Sequence, residues 1–279
     1  MYTPKEIAHN YIAIGTNKAR MRAGRMFVLA ILAGAFIALA GAAATTASVS
    51  IASPSLAKLV GALMFPTGLA MTLIAGSELF TGDCLVIIPA LTRDIRVGEL
   101  LRNWAIVYLG NLVGGLAVSL LVVYGHTFSL FDNQLAAAAI HTAIGKVELG
   151  FGDALLRGIA CNFLVCIAVW MAFAAKDVTG KVVGLFLPVM IFVLCGYEHS
   201  VANMYYIPAG IFASTNPYYA AAVPVGDHLS ALTWGAFIVK NLIPVTIGNI
   251  IGGAGLVGLP YWFVYLRGEP SGGARGKKK

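Results

Sequence analysis

The sequence predicts an all-α integral membrane protein with six transmembrane helices, arranged as two inverted three-helix repeats in which helices 2 and 5 are broken. Three observations support this prediction. The chain is 59% hydrophobic and only 11% charged, whereas a soluble domain is about 25% charged. Six apolar segments are long enough to cross hydrocarbon. Two pairs of short motifs recur in the second half of the chain.

The N-terminal segment predicts a helix that lies on the membrane surface. Thr3, Pro4 and Glu6 form a helix start, with a capping residue, a proline at the first position and a carboxylate at the third. A short apolar face follows at residues 7–12. The apolar run from Met26 resembles a signal peptide, but the segment before it is long for an n-region. We therefore expect this run to be retained as the first span.

The apolar segments place the six spans, because a spanning helix needs about 20 apolar residues. The second span is interrupted by Glu78 and Asp83, and the fifth by Glu198 and His199. Both are longer than one crossing requires, which is typical of discontinuous helices. The spans run approximately over residues 26–50, 59–92, 103–124, 158–175, 182–213 and 241–266.

The positive charges predict the topology. Most of the 19 Lys and Arg residues lie in the N-terminal segment, in loops 93–102 and 176–181, and after residue 266. Because cytoplasmic loops are enriched in Lys and Arg, both termini are expected in the cytoplasm of a bacterial-type inner membrane. The net charge of +7 then reflects topology and not a nucleic-acid partner. The cations on the other side are Lys58, Lys146, Arg157 and Lys240.

One transmembrane domain is predicted over residues 1–267. Within it, residues 1–25 hold the interfacial helix, and the repeats cover about 26–124 and 158–266. Residues 125–157 form an external connection that includes an apolar stretch able to fold back as a short helix. Residues 268–279 are expected to be a disordered basic tail.

Two motif pairs define the internal repeat. GSELFTGD at 76–83 matches GYEHSVAN at 196–203, since both read Gly-x-Glu-x-x-x-x-Asp/Asn. YLGNLVGG at 108–115 and TIGNIIGG at 246–253 share Gly-Asn-x-x-Gly-Gly. Three spans per copy is an odd number, so the second copy must insert upside down. The two polar breaks are then expected to meet near the centre of the bilayer.

A helix break exposes backbone N–H and C=O groups inside the membrane, and we expect Glu78 and Glu198 to satisfy them. Glu198 is also expected to lie on the substrate pathway. Thr81 and His199 are the better candidates for contact with a permeant, because an intramembrane histidine is rare and usually functional. Half-helix N-termini carry partial positive charge and favour anions. Four apolar side chains near the breaks would keep the centre dry: Phe65, Leu69, Leu79 and Phe192.

Other chemistries lack the residues they need. His199 and Glu198 are too few and wrongly spaced for a metal site, and Ser200 does not share a helix face with His199. The chain has no Gly-Lys-Ser/Thr phosphate loop. Neither a cofactor nor enzymatic activity is expected. A neutral-solute channel of the aquaporin kind stays an alternative, although Asn216-Pro217 occurs once and precedes Tyr. A membrane-embedded enzyme or metal-binding protein is the third hypothesis.

The motifs GSELFTGD, GYEHSVANMY and NLIPVTIGNIIGG resemble those of the formate/nitrite transporter family, which includes hydrosulfide channels. The resemblance covers almost the whole chain. It implies an aquaporin-like protomer in the lipid bilayer, assembled as a homopentamer with one pore per protomer. The expected substrate is a small monocarboxylate or inorganic anion, with formate as the first expectation and nitrite or hydrosulfide as alternatives. The family motif often ends in Asn where this chain has Asp83.

The resemblance also implies roles for single residues. His199 would be the central histidine, and Thr81 the threonine of the loop in the second span. Asn162 of the fourth span would lie at the pore, and Lys146 would be the external lysine near the histidine. Leu79 would belong to a mobile loop, while Phe65, Leu69 and Phe192 would form the two constrictions.

Passing a bare anion through an apolar constriction is expensive, and two routes lower that cost. The anion keeps hydrogen bonds from Thr81 and His199 while it passes, or it takes a proton near His199 and crosses as the neutral acid. In the second route the proton is the other partner of transport. Lys146 and Lys240 are expected to draw anions to the external mouth.

Overall fold

The described residues of the computed structural model, 1–222 and 227–268, fold into helices and contain no strand. Short turns of 3₁₀ helix cover Thr127–Ser129, Pro217–Ala222 and Asp227–Ala231. The predicted basic tail lies outside the described residues from 269 onward. The helices are α1 (Pro4–Arg20), α2 (Ala23–Ser48), α3 (Pro54–Ala75), α4 (Phe80–Leu91), α5 (Val97–Tyr124), α6 (Gln134–Val147), α7 (Phe151–Ala174), α8 (Val178–Leu194), α9 (Ser200–Thr215) and α10 (Trp234–Tyr265).

The all-α prediction is confirmed. Helices α2, α3, α5, α7 and α10 are long and apolar enough to cross a membrane, and the fifth predicted span is the discontinuous pair α8 and α9. Several helices begin earlier than the apolar runs suggest: α3 at Pro54, α7 at Phe151 and α10 at Trp234. The added turns end in Lys58, Arg157 and Lys240, and a charged residue ends an uncharged run without ending the helix.

Helix α1 begins as its sequence predicts. The Thr3 hydroxyl accepts a hydrogen bond from the Glu6 amide at 3.3 Å, and the Glu6 carboxylate accepts one from the Thr3 amide at 2.7 Å. This reciprocal capping box satisfies two amides that have no partner within the helix. The face that carries Ile7 and Tyr11 is buried against the bundle. The location of α1 on a membrane surface stays a prediction.

The two halves pack in the same way, since α2 lies against α5 as α7 lies against α10. A Cβ atom on Gly114 would lie 2.1 Å from the carbonyl oxygen of Ile31, and one on Gly252 would lie 2.1 Å from that of Ile159. No side chain fits at such a distance. The repeated Gly-Gly motif is therefore a pair of helix contacts where backbones touch.

The outer surface of the bundle is apolar. Leu109, Leu121 and Val183 are each more than half exposed, with values of 56%, 70% and 66%. Large exposed apolar areas are rare on soluble monomers. The buried polar residues, by contrast, concentrate at the two helix breaks.

Candidate functional site

Both broken helices end and restart with the same backbone conformations. Gly76 (φ +81°) ends α3 and Gly196 (φ +69°) follows α8, both in the left-handed region that favours glycine. Leu79 (φ −114°, ψ 120°) and His199 (φ −109°, ψ 113°) then stand in extended conformation at the starts of α4 and α9. The two half-helices therefore begin at equivalent places in the two repeats, with leucine in one and histidine in the other.

An asparagine side chain holds the first break. Asn111 of α5 donates from Nδ2 to the carbonyl oxygens of Ala30 at 2.7 Å and Glu78 at 2.9 Å. Its Oδ1 accepts from the Phe80 amide at 2.9 Å. One buried amide thus satisfies three backbone groups at the break.

Asn249 of α10 makes the same three bonds at the second break. Its Nδ2 donates to the carbonyl oxygens of Gly158 at 2.8 Å and Glu198 at 3.0 Å, and its Oδ1 accepts from the Ser200 amide at 2.9 Å. We call these two arrangements the asparagine clamps. The expectation that Glu78 and Glu198 satisfy the freed backbone is wrong. Their carboxyl groups bond Lys18 and Lys146, while the two asparagine side chains bond the backbone at the breaks.

Thr81 and His199 meet between the two breaks. The Thr81 Oγ1 lies 2.9 Å from the His199 Nε2, and the two residues are 0% and 3% exposed. The Ala202 amide donates to His199 Nδ1 at 2.9 Å. Because Nδ1 accepts, the neutral ring carries its proton on Nε2, which donates to Thr81. The geometry therefore holds the imidazole as a neutral hydrogen-bond donor.

Apolar side chains separate two cavities around this pair. The Phe192 ring lies 5.8 Å from the His199 ring and 5.6 Å from the Phe65 ring, between centroids. A large cavity of about 720 Å³ reaches Phe65, Phe192 and His199 from one side. A small cavity of about 20 Å³ reaches Leu69 and Leu79 from the other side. The positions suit the predicted constrictions, and their role in transport stays a prediction.

The large cavity is rich in cations. Lys146 Nζ lies 2.8 Å from Glu198 Oε1 and 3.1 Å from Glu198 Oε2, so lysine and carboxylate balance one another. Lys58 and Arg157 line the same cavity. Lys240, which the sequence places at this mouth, is exposed on α10 and is not among the residues that line the cavity.

The small cavity has a lysine that the sequence interpretation missed. Lys18 Nζ of α1 bonds Glu78 Oε2 at 2.7 Å and Asp83 Oδ1 at 2.9 Å. Burial alone would lower the pKa of Lys18, but the carboxylates of Asp83 and Glu78 raise it above the ordinary value of a lysine. Lys18 therefore stays charged at neutral pH.

A repeat signal for Lys18 does exist in the chain. The amides of Glu78 and Glu198 donate to the carbonyl oxygens of Leu29 and Arg157, each at 3.3 Å. Lys18 precedes Leu29 by the same number of residues as the cavity lysine of α6 precedes Arg157. Helices α1 and α6 are thus equivalent, and each provides a lysine to the glutamate of its own break.

Asn162 is placed differently from the central pair. It is fully buried on α7, and its Nδ2 donates to the Asn249 carbonyl oxygen at 2.7 Å. It is not among the residues that line the large or the small cavity. This bond joins α7 to α10, and the predicted place of Asn162 at the pore stays a prediction.

Two discontinuous helices that start from matched breaks, with a buried polar pair between two cavities, define a membrane channel or transporter built from an inverted repeat. The sequence profile of the family described as Formate/nitrite transporter matches residues 5–263. The chain belongs to the formate/nitrite transporter family and is a multi-pass membrane protein. The resemblance drawn from the three motifs is confirmed.

Relatives match over nearly their whole length. Formate channel FocA of Escherichia coli (strain K12) is 41% identical over 259 residues, 91% of this chain and 90% of that protein. The uncharacterized transporter YrhG of Bacillus subtilis (strain 168) is 40% identical over 272 residues, which cover 96% of this chain and 95% of the relative. These relatives are described as channels or transporters.

Solved structures match as well. One described as a pentameric formate channel with formate bound has a TM-score of 0.79 at 38% identity, and covers 88% of this chain and 98% of its own. A second, described as an FNT family ion channel, has a TM-score of 0.80 at 30% identity and covers 92% and 98%.

Proposed function

We propose that this chain is a channel for small monovalent anions, with formate as its substrate, assembled as a homopentamer with one pore in each protomer. The names of the relatives support the substrate, and the pentameric solved structure supports the assembly. The observation that carries the proposal is the buried pair of Thr81 and His199 between two cavities. We further propose that the protein lies in the inner membrane with both termini in the cytoplasm.

Capture of the anion begins in the large cavity. Lys58, Lys146 and Arg157 contribute three positive charges to its lining, and Glu198 contributes one negative charge. The excess of positive charge raises the local concentration of anions in a narrow opening between apolar walls. By the proposed topology this mouth faces the outside of the cell.

Passage occurs between the two apolar constrictions, where the permeant meets two hydrogen-bond donors. The His199 Nε2–H and the Thr81 hydroxyl can turn from each other to an oxygen of the permeant, which replaces part of its hydration. Because the ring is neutral and Nδ1 is occupied by the Ala202 amide, the imidazole offers a hydrogen bond and has no spare proton to release. If the anion crosses as the neutral acid, a different group must supply the proton.

Flux through proteoliposomes tests this function. The full-length protein is reconstituted, and uptake of radiolabelled formate is compared with uptake of nitrite and hydrosulfide and with osmotic water flux. Protein-dependent formate uptake that exceeds the flux through protein-free vesicles is the expected result. Water flux without any anion uptake would overturn the proposal and favour a neutral-solute channel.

A further inference from the structure

The two helix breaks differ in their balance of charge. At the break beside α6, Lys146 faces the single carboxylate Glu198. At the break beside α1, Lys18 faces two carboxylates, Glu78 at 2.7 Å and Asp83 at 2.9 Å. The side chains of Glu78 and Asp83 are only 7% and 2% exposed. Two ionised carboxylates and one lysine would leave a net negative charge buried inside the membrane, which is strongly unfavourable.

Asp83 also has an acceptor oxygen without a partner. Its Oδ2 is buried and makes no hydrogen bond within the part of the chain that the structure describes. Asp83 lines the small cavity together with Tyr11 and Leu79. A buried acceptor without a partner is costly, so a donor is expected there.

The other repeat shows which donor belongs at this position. Asn203 stands where Asp83 stands in the first repeat, and its Nδ2 donates to Glu198 Oε2 at 2.7 Å. The side chain of Asp83 has no N–H group, so it can copy this bond to Glu78 only when one of the two carboxyl groups carries a proton. Like charges that share one site do not both ionise.

From these three observations we propose that Glu78 and Asp83 share one proton at neutral pH and form a proton donor to the permeating acid at the small cavity. The inference rests on the proposed transport function. An anion that enters from this side takes the shared proton: the carboxyl O–H bond breaks and the O–H bond of the neutral acid forms. The neutral acid releases its proton to water when it reaches the large cavity, and a hydronium ion on the α1 side returns a proton to the pair. Passage in the other direction runs the same steps in reverse.

The surroundings leave this role to the carboxyl pair. The titratable groups that face it are Lys18 and Tyr11 of α1, Cys84 of α4 and Cys166 of α7. Lys18 is held charged by its two ion pairs, and the phenol and the two thiols are uncharged groups whose ordinary pKa values lie above neutral pH. The thiols donate to the backbone oxygens of Phe80 and Thr81 and not to the carboxyl pair. The indole of Trp104 donates to the Asp83 backbone oxygen at 2.9 Å and does not reach the carboxylate.

Infrared difference spectroscopy on the reconstituted full-length protein tests the shared proton without reference to transport. The wild type is expected to show the C=O stretching band of one protonated carboxyl group per protomer at pH 7. Asp83→Asn and Glu78→Gln should each lose that band, because the remaining carboxylate is balanced by Lys18. Glu99→Gln removes a carboxylate that pairs with Arg20 of α1 outside the cavity, and should keep the band.

Formate flux then tests the donor role. Efflux from the α1 side should fall by about tenfold or more in Asp83→Asn and remain at the wild-type rate in Glu99→Gln. Absence of the band in the wild type, or its persistence in both cavity variants, would overturn the shared proton. Loss of the band with unchanged flux would overturn the donor role. A wild-type protein without formate flux would refute the proposed function, while the spectrum would still decide whether the proton is shared.

Discussion

The asparagine clamps predict a large and symmetric loss of stability when either amide is removed. Asn249→Leu keeps a similar volume at a fully buried site and deletes three hydrogen bonds to the second break. Each buried backbone group that loses its partner costs about 1–3 kcal/mol, so the loss of stability is at least about 3 kcal/mol. Asn111→Leu deletes the same three bonds at the first break and should lose the same amount.

Thermal unfolding of the detergent-solubilised full-length protein measures this loss. For a chain of this size, each kcal/mol shifts the unfolding temperature by about 2–4 °C, so both variants should unfold about 6 °C or more below the wild type. Asn17→Leu, at an exposed position of α1, serves as the control and should change stability by no more than about 0.5 kcal/mol.

The comparison of the two clamps is the sharper part of this experiment. If the breaks are equivalent, the two variants shift together, since they lose the same two donors and one acceptor. A shift of under about 2 °C in both variants would refute the clamp as the support of the broken helices. A large shift in only one variant would refute the equivalence of the repeats.

Three further predictions concern the permeant and the packing. Lys58→Gln should lower formate uptake at low ionic strength and have little effect at about 1 M salt, where the Debye length is about 3 Å. An equal loss at both salt concentrations, or the same loss in the exposed Lys240→Gln control, would contradict electrostatic attraction of the anion to the large cavity. Thr81→Val should lower formate flux by about tenfold or more while Thr81→Ser stays active. Valine leaves the buried Nε2–H of His199 without its partner, and an unpaired buried donor costs about 1–3 kcal/mol. A fully active valine variant would contradict the role of the hydroxyl. Gly114→Ala should lower the unfolding temperature because its Cβ would meet the Ile31 oxygen at 2.1 Å. A Cβ added at Gly145 would have no neighbouring atom within 4 Å, so Gly145→Ala should be neutral or stabilising. Equal unfolding temperatures of the two variants would argue against the backbone contact at Gly114.

The repeat and its breaks could be predicted because they depend on residues with special backbone or hydrogen-bonding properties. Gly76 and Gly196 adopt left-handed conformations, and the asparagines of the third and sixth spans hold the breaks. Each of these residues occupies a fixed position in a short motif that recurs in the sequence. Thr81 and His199 were candidates on the same grounds, and the structure brings them to 2.9 Å.

The partners of Lys18 could not be predicted from the motifs, because they depend on packing between distant segments. Its equivalence to Lys146 becomes visible only when the structure shows which carbonyl oxygens the amides of Glu78 and Glu198 bond. Lys18 lies on a helix whose sequence indicates only an amphipathic surface segment. It nevertheless bonds Glu78 and Asp83, which are 60 and 65 residues away along the chain. The prediction that Glu78 and Glu198 satisfy the freed backbone is wrong for a related reason. A sequence shows that a polar residue lies at a break, but not whether the exposed backbone there needs donors or acceptors.

The most direct test of the account is formate uptake by His199→Ala in proteoliposomes, measured beside His228→Ala. His228 is an exposed histidine that pairs with Glu148 outside the pore, at 2.7 Å. The account predicts that His199→Ala loses nearly all formate uptake, because the permeant loses its central donor, and that His228→Ala transports as the wild type does. Formate uptake that is unchanged in His199→Ala would contradict the claim that a small acid passes between the two breaks against this imidazole.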